Sequence, residues 1–197
     1  MEMIIRIVAL VFSIVVHEVC HGYAAYRLGD PTARDARRLT LNPLAHIDPI
    51  GTVLLPLILV VMNSPVLFGY AKPVPFNPAY FRNAKKGIMI VGAAGPASNL
   101  VLAVIAGLLF HLLPVGVIGF FLVHLCIINV VLAIFNLIPI PPLDGSRVVT
   151  GFLPDHMIRG YLSIERYGFL VTFAFLYLGI LDFIIWPIAD GLLRFLL

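Results

Sequence analysis

The chain has 197 residues, 61% of them hydrophobic and 12% charged, with a net charge of +3 and a mean hydropathy of +1.05. Soluble globular domains carry about 45–50% apolar and about 25% charged residues, so this composition excludes them and points to a polytopic membrane protein partnered with the lipid bilayer. The basic residues cluster near the ends of apolar stretches, the distribution that sets membrane orientation, and give no support to nucleic-acid binding.

Residues 3–28 contain no proline and one glycine, Gly22, which predicts a single helix of about 25 residues, long enough for a bilayer core of about 30 Å. The stretch lacks the basic leader of a cleavable signal peptide and is expected to remain in the mature chain. Residues 29–49 follow with Arg34, Arg37 and Arg38 between breakers, an extramembrane loop with room for a short hairpin, cytoplasmic by the positive-inside rule. Within it, His46 and Asp48 read as a local turn network rather than a second metal site. Residues 50–68 are apolar but interrupted by Pro56 and Pro65, and a second basic stretch with Lys72, Arg82, Lys85 and Lys86 comes after. A re-entrant segment keeps both basic stretches on one side, with any non-helical backbone at that depth covered by protein.

Residues 88–113 should cross outward. Gly92, Ala93, Ala94, Gly95, Ala97 and Ser98 form a small-residue face there for close helix packing. Pro96 marks a kink, and Asn99 either belongs to the packing face or contacts a substrate backbone. Residues 115–137 return and end at Pro139, Pro141 and Pro142, which forbid a continuing helix and leave Asp144 on a broken segment. The last apolar region, 168–197, is expected to break around Asp182 and Pro187, giving one span plus an interfacial helix or two tight spans. His111 and His124 read as interfacial, His156 as an exposed loop residue, and Cys20 and Cys126 as inert thiols without a disulfide. The predicted fold is an all-α polytopic membrane protein with four to six membrane-inserted helices, formed as a single domain over residues 1–197.

The chemistry lies in His17-Glu18-Val19-Cys20-His21, an H-E-x-x-H motif inside the first apolar stretch. Residues four apart share a helix face, so His17 and His21 can offer imidazole nitrogens to one zinc while Glu18 sits beside its water. A catalytic zinc takes three protein ligands, and Asp144, an acid in an apolar, broken segment, is the candidate for the third. Glu18 would act as general base. Asn136 would either donate an amide N–H to an oxyanion or cap the broken helix. Broken helices and intramembrane acids also suit a transporter or metal-handling protein, and a catalytically inactive helix-binding scaffold is the other alternative.

Three motifs together resemble the site-2 protease family of intramembrane zinc metalloproteases. They are the H-E-x-x-H motif, Gly95-Pro96-Ala97-Ser98-Asn99, and Asn136-Leu137-Ile138-Pro139 leading to Leu143-Asp144-Gly145. Residues 42–49 with Gly69-Tyr70-Ala71-Lys72-Pro73-Val74-Pro75 look like its compact bacterial branch, without PDZ or CBS domains. The resemblance implies one Zn2+ per chain on His17, His21 and Asp144, Glu18 as base, and Asn136 against substrate or oxyanion. It further implies a membrane-protein substrate with a transmembrane helix, a multi-pass location in the cell (inner) membrane, and an active site toward the cytoplasmic side. Pro56, Pro65 and the run from Pro139 to Pro142 offer non-helical surfaces for receiving an unwound substrate strand.

Overall fold

Spacing by four runs through the long helices of the computed structural model, which describes residues 1–64, 69–113 and 116–197. Helix α1 (Glu2–Arg27) buries Ala9, Ser13, His17, His21 and Ala25 in one continuous stripe. Helix α4 (Ala84–Leu112) buries Gly87, Val91, Gly95, Asn99 and Ala103 at the same interval, and α5 (Val117–Leu137) buries Leu122, Cys126, Val130 and Ile134. Rows of this kind are the ridges along which helices interdigitate, and with so many Gly, Ala and Ser side chains the axes can approach closely where lipid supplies no hydrophobic drive. The two motif histidines are therefore ordinary members of a packing stripe by position and exceptional members by chemistry.

Helices α1, α4 and α5 are long and apolar enough to cross a membrane, and their outward faces carry exposed Ile, Val and Leu. Helices α8 (Glu165–Tyr177) and α9 (Asp182–Leu196) meet at a 72° bend and provide a fourth crossing if they form one span. The bend lies at the expected Asp182 break. Pro187, also expected to interrupt the region, instead lies inside α9. It removes one backbone donor in the second turn, a loss that the rest of the helix absorbs.

Short elements fill the connections: α2 (Thr32–Asp35), a 3-10 turn (Pro43–His46), a π-helical turn (Pro49–Leu54) and α3 (Leu55–Val61). Among the described residues none is a strand, so the loop after α1 is built from capped turns rather than a hairpin. His46 and Asp48 serve those turns as expected: the His46 ring lies 2.9 Å from the Thr40 carbonyl, and the Asp48 carboxylate accepts from the amides of Ile50 and Gly51. The segment expected to re-enter begins and ends at the same place. The Tyr70 amide donates to the Gly51 carbonyl at 3.0 Å, and the Thr52 hydroxyl donates to the Tyr70 carbonyl at 2.9 Å. Its Pro65 and Phe68 lie outside the described residues, as does Val115.

Residues 69–77 form a non-helical strap against α1. The Lys72 amide donates to the His46 carbonyl, Arg38 donates to the Lys72 carbonyl at 2.6 Å, and the Asn77 amide donates to buried Asp30 at 2.5 Å. Burial opposes ionisation of Asp30, but hydrogen bonds from the Thr32 hydroxyl and from the Asn77 and Thr32 amides outweigh it and hold the carboxyl below its ordinary range. After α5 the chain turns through residues 138–142 into α6 (Asp144–Thr150). A Cβ on Gly145 would overlap the carbonyls of Leu137 and Ile138, so only glycine permits α6 to fold back this tightly on α5. Helix α7 (Asp155–Ser163) carries exposed His156 on a helix rather than a loop, and its Tyr161 hydroxyl donates to the Pro139 carbonyl at 2.7 Å.

Candidate metal centre

Helix α1 presents His17 and His21 one turn apart, and the tight return into α6 brings Asp144 opposite them. The three inward atoms form a nearly equilateral triangle. His17 Nε2 and His21 Nε2 are 3.0 Å apart, and Asp144 Oδ2 lies 3.0 Å from the first and 3.1 Å from the second. All three residues are buried, and among the described residues this is the group of three that could share an ion.

Each of the three side chains has one atom facing inward and another engaged from outside. His21 Nδ1 lies 2.6 Å from the Val91 carbonyl, which can only accept, so Nδ1 carries a proton and Nε2 is the nitrogen turned inward. His17 Nδ1 is held in the same way, 2.6 Å from Asn99 Oδ1. Asp144 Oδ1 accepts from Arg147 Nη1 at 3.1 Å, leaving Oδ2 for the triangle. The Arg147 guanidinium also lies 5.5 Å from the Phe76 ring centre on the strap.

This donor set fits zinc. Two neutral imidazoles and a carboxylate suit a borderline divalent ion, and their separations approach the roughly 3.3 Å between neighbours that bonds of about 2.0–2.1 Å give on a tetrahedral centre. Two inward nitrogens beside a carboxylate oxygen in a buried site call for a proton or a metal cation among them. Space has been kept for the rings as well: a Cβ on Gly95 would stand 2.6 Å from His17 Cε1 and closer still to His21 Nε2. At Gly92 a Cβ would stand 2.7 Å from that of Arg147, so α4 needs both glycines to accept α1 and α6.

Glu18 is half-buried beside the triangle, and its Oε2 accepts from the Val74 amide at 2.9 Å. Asn136 lies in the last turn of α5, with Nδ2 donating to its own Leu132 carbonyl at 3.0 Å. Asn99, for which packing and substrate contact both stood open, is fully buried and turned to His17. His111, His124 and His156 are not part of the group; His111 faces the Leu196 carbonyl and His124 the Phe120 carbonyl. Both cysteines are free, Cys126 fully buried and Cys20 partly so. Sequence reasoning left Ser13, Asn129, Arg147 and the Val74 amide out of the site. Ser13 and Asn129 did carry a signal, since each is a polar residue in an apolar run.

Residues 111–179 match the model of peptidase family M50. Over 196 residues the chain is 36% identical to "Putative zinc metalloprotease YwhC" of Bacillus subtilis (strain 168), covering 94% of this chain and 85% of that protein. It is 30% identical over 172 residues to "Putative zinc metalloprotease Rip2" of Mycolicibacterium smegmatis, covering 86% of this chain and 65% of the relative. It is 26% identical over 164 residues to "Zinc metalloprotease MJ0392" of Methanocaldococcus jannaschii, covering 83% of this chain and 35% of the relative. No solved structure matches the chain.

Proposed function

Given that the chain belongs to peptidase family M50 and is a zinc metalloprotease, we propose that it cleaves membrane-protein substrates in or near their transmembrane helices. The observation that carries this reading is the buried His17, His21 and Asp144 triangle, set within apolar helices and flanked by Glu18. Residues 1–197 act as one membrane metalloprotease domain with one zinc on those three residues. His17, His21 and Asp144 would hold the zinc, which when bound would supply a Lewis acid and a water of pKa lowered toward about 7.

Glu18 takes the proton of the attacking water and delivers it to the leaving amine. The Val74 amide occupies Oε2, so Oε1, which has no partner among the described residues, is the proton acceptor. Asn136 stabilises the oxyanion by exchanging its bond to the Leu132 carbonyl for one to the substrate. A helical substrate must unwind locally to expose its carbonyl, and the irregular backbone of 138–142 and the strap offers surfaces to receive it. Arg34, Arg37, Arg38, Lys72, Arg82, Lys85 and Lys86 follow the His21 end of α1 in sequence or flank the start of α4, and by the positive-inside rule this supports a site toward the cytoplasmic side of the cell membrane.

The test uses purified chain in vesicles with a single-span substrate and a parallel metal assay. Glu18→Gln is expected to abolish cleavage while retaining about one zinc per chain, and Asp144→Ala to lose both. Undiminished cleavage in Glu18→Gln would remove the base assignment, and full zinc in Asp144→Ala would remove the third ligand.

A further inference from the structure

The buried hydrogen bonds behind His17 form a line that crosses three helices. Ser13 Oγ donates to the Ala9 carbonyl at 2.7 Å. Asn129 Nδ2 donates to Ser13 Oγ and to the Leu125 carbonyl, each at 2.8 Å. Asn99 Nδ2 donates to Asn129 Oδ1 at 2.7 Å, and Asn99 Oδ1 faces His17 Nδ1 at 2.6 Å. Ser13, Asn99 and Asn129 are each 0% exposed, so no solvent can replace a missing partner.

The direction of every bond is forced. The Ala9 and Leu125 carbonyls can only accept, so Ser13 must spend its proton on Ala9 and Asn129 must turn its NH2 group toward Ser13 and Leu125. Asn129 then shows its oxygen to Asn99, whose NH2 group turns to meet it. That leaves Asn99 Oδ1 for His17, and the His17 proton must sit on Nδ1. We infer that Asn99, oriented through Asn129 and Ser13, is a positioning residue that fixes the tautomer and ring plane of His17 with Nε2 toward the metal. His21 reaches the same state through one backbone carbonyl, whereas His17 depends on side chains that substitution can remove.

The inference rests on the zinc-protease reading, and zinc affinity separates the two. The purified chain and its variants would be compared by chelator competition and by the visible absorption of the Co2+-substituted form. Asn99→Leu removes the acceptor at similar volume, and zinc affinity is expected to fall by roughly 10–100-fold with altered Co2+ bands. Asn99→Asp keeps an acceptor toward His17 while its second oxygen loses the donor to Asn129 Oδ1, so it is expected to retain more zinc affinity than Asn99→Leu. A role in packing alone predicts the opposite order, because a buried charge disturbs a helix interface more than an apolar isostere. Wild-type affinity in Asn99→Leu, or equal losses in both variants, would overturn the inference. Where Asn99→Leu yields no folded protein, Asn129→Leu serves, since it leaves Asn99 in place without its anchor. A weaker zinc site is expected there, and unchanged affinity and Co2+ spectrum would be equally fatal. A folded wild type without zinc affinity would overturn the functional reading and this one with it, while zinc in wild type without the predicted order of variants overturns this one alone.

Discussion

The two halves of α1 obey different rules. From Glu2 to Phe12 most side chains are large, apolar and turned outward; Ile4 is 63% exposed and Val8 52%. From Ser13 to Ala25 the buried positions are Ser, Val, His, His, Gly and Ala, and the polar ones among them are all hydrogen-bonded. The first half is held by apolar contact, which tolerates exchange, and the second by close approach and directed bonds, which do not. One helix can thus turn large apolar residues outward along one half and pack small and polar ones closely along the other when the size of its residues changes along its length.

The hardest way to break this contrast is to fill the space kept for the rings. Gly95→Ala places a methyl group against both histidines, and displacing them by about 1 Å is expected to cost roughly 100-fold in proteolytic rate with the helices still folded. Rates within a few-fold of wild type would mean that α4 can back away from α1. A smaller effect is expected where the polar half ends. Asp30 anchors the strap as a carboxylate whose folded pKa lies below its unfolded value, so its stabilisation is present above about pH 4 and is lost as pH falls through the folded pKa. Asp30→Asn should lower the midpoint of thermal unfolding by about 2–4 °C at pH 7, the shift expected for roughly 1 kcal/mol in a chain of this size. The difference should shrink below about pH 4, and a gap that persists unchanged in acid would show that charge is irrelevant to the anchor. The smallest effect belongs to the outward half. Val8→Ala should alter stability by no more than about 0.5 kcal/mol and leave zinc content unchanged, and metal loss there would erase the distinction between the halves.

What the sequence made legible follows the same contrast. The crossing helices, the H-E-x-x-H pair and the acid on the broken segment all announce themselves through local pattern: hydropathy, spacing by four and a proline cluster. Charge placement predicts that 50–68 re-enters, and residues 65–68 lie outside the described residues; near the two ends of the segment the Tyr70 amide donates to the Gly51 carbonyl. Asn99 was visible as part of a motif, but its role was not, because its partners are 82 and 30 residues away. Ser13 and Asn129 meet across 116 residues, and a single polar residue in an apolar run gives no clue to its distant mate. Pro187 misled because a proline marks a missing donor and not, by itself, the end of a helix.

The Val74 amide lies between Pro73 and Pro75, which have no N–H of their own, so it is the sole backbone donor of that tripeptide. The tether on Glu18 is therefore written in the main chain and not in any side chain. Among single-codon changes at position 74, those that resize the buried valine would disturb its packing against Gly22 yet leave the donor intact. Only a proline codon deletes it, so drift at this position can vary the side chain while the hydrogen that holds the Glu18 carboxylate stays beyond the reach of nearly every mutation.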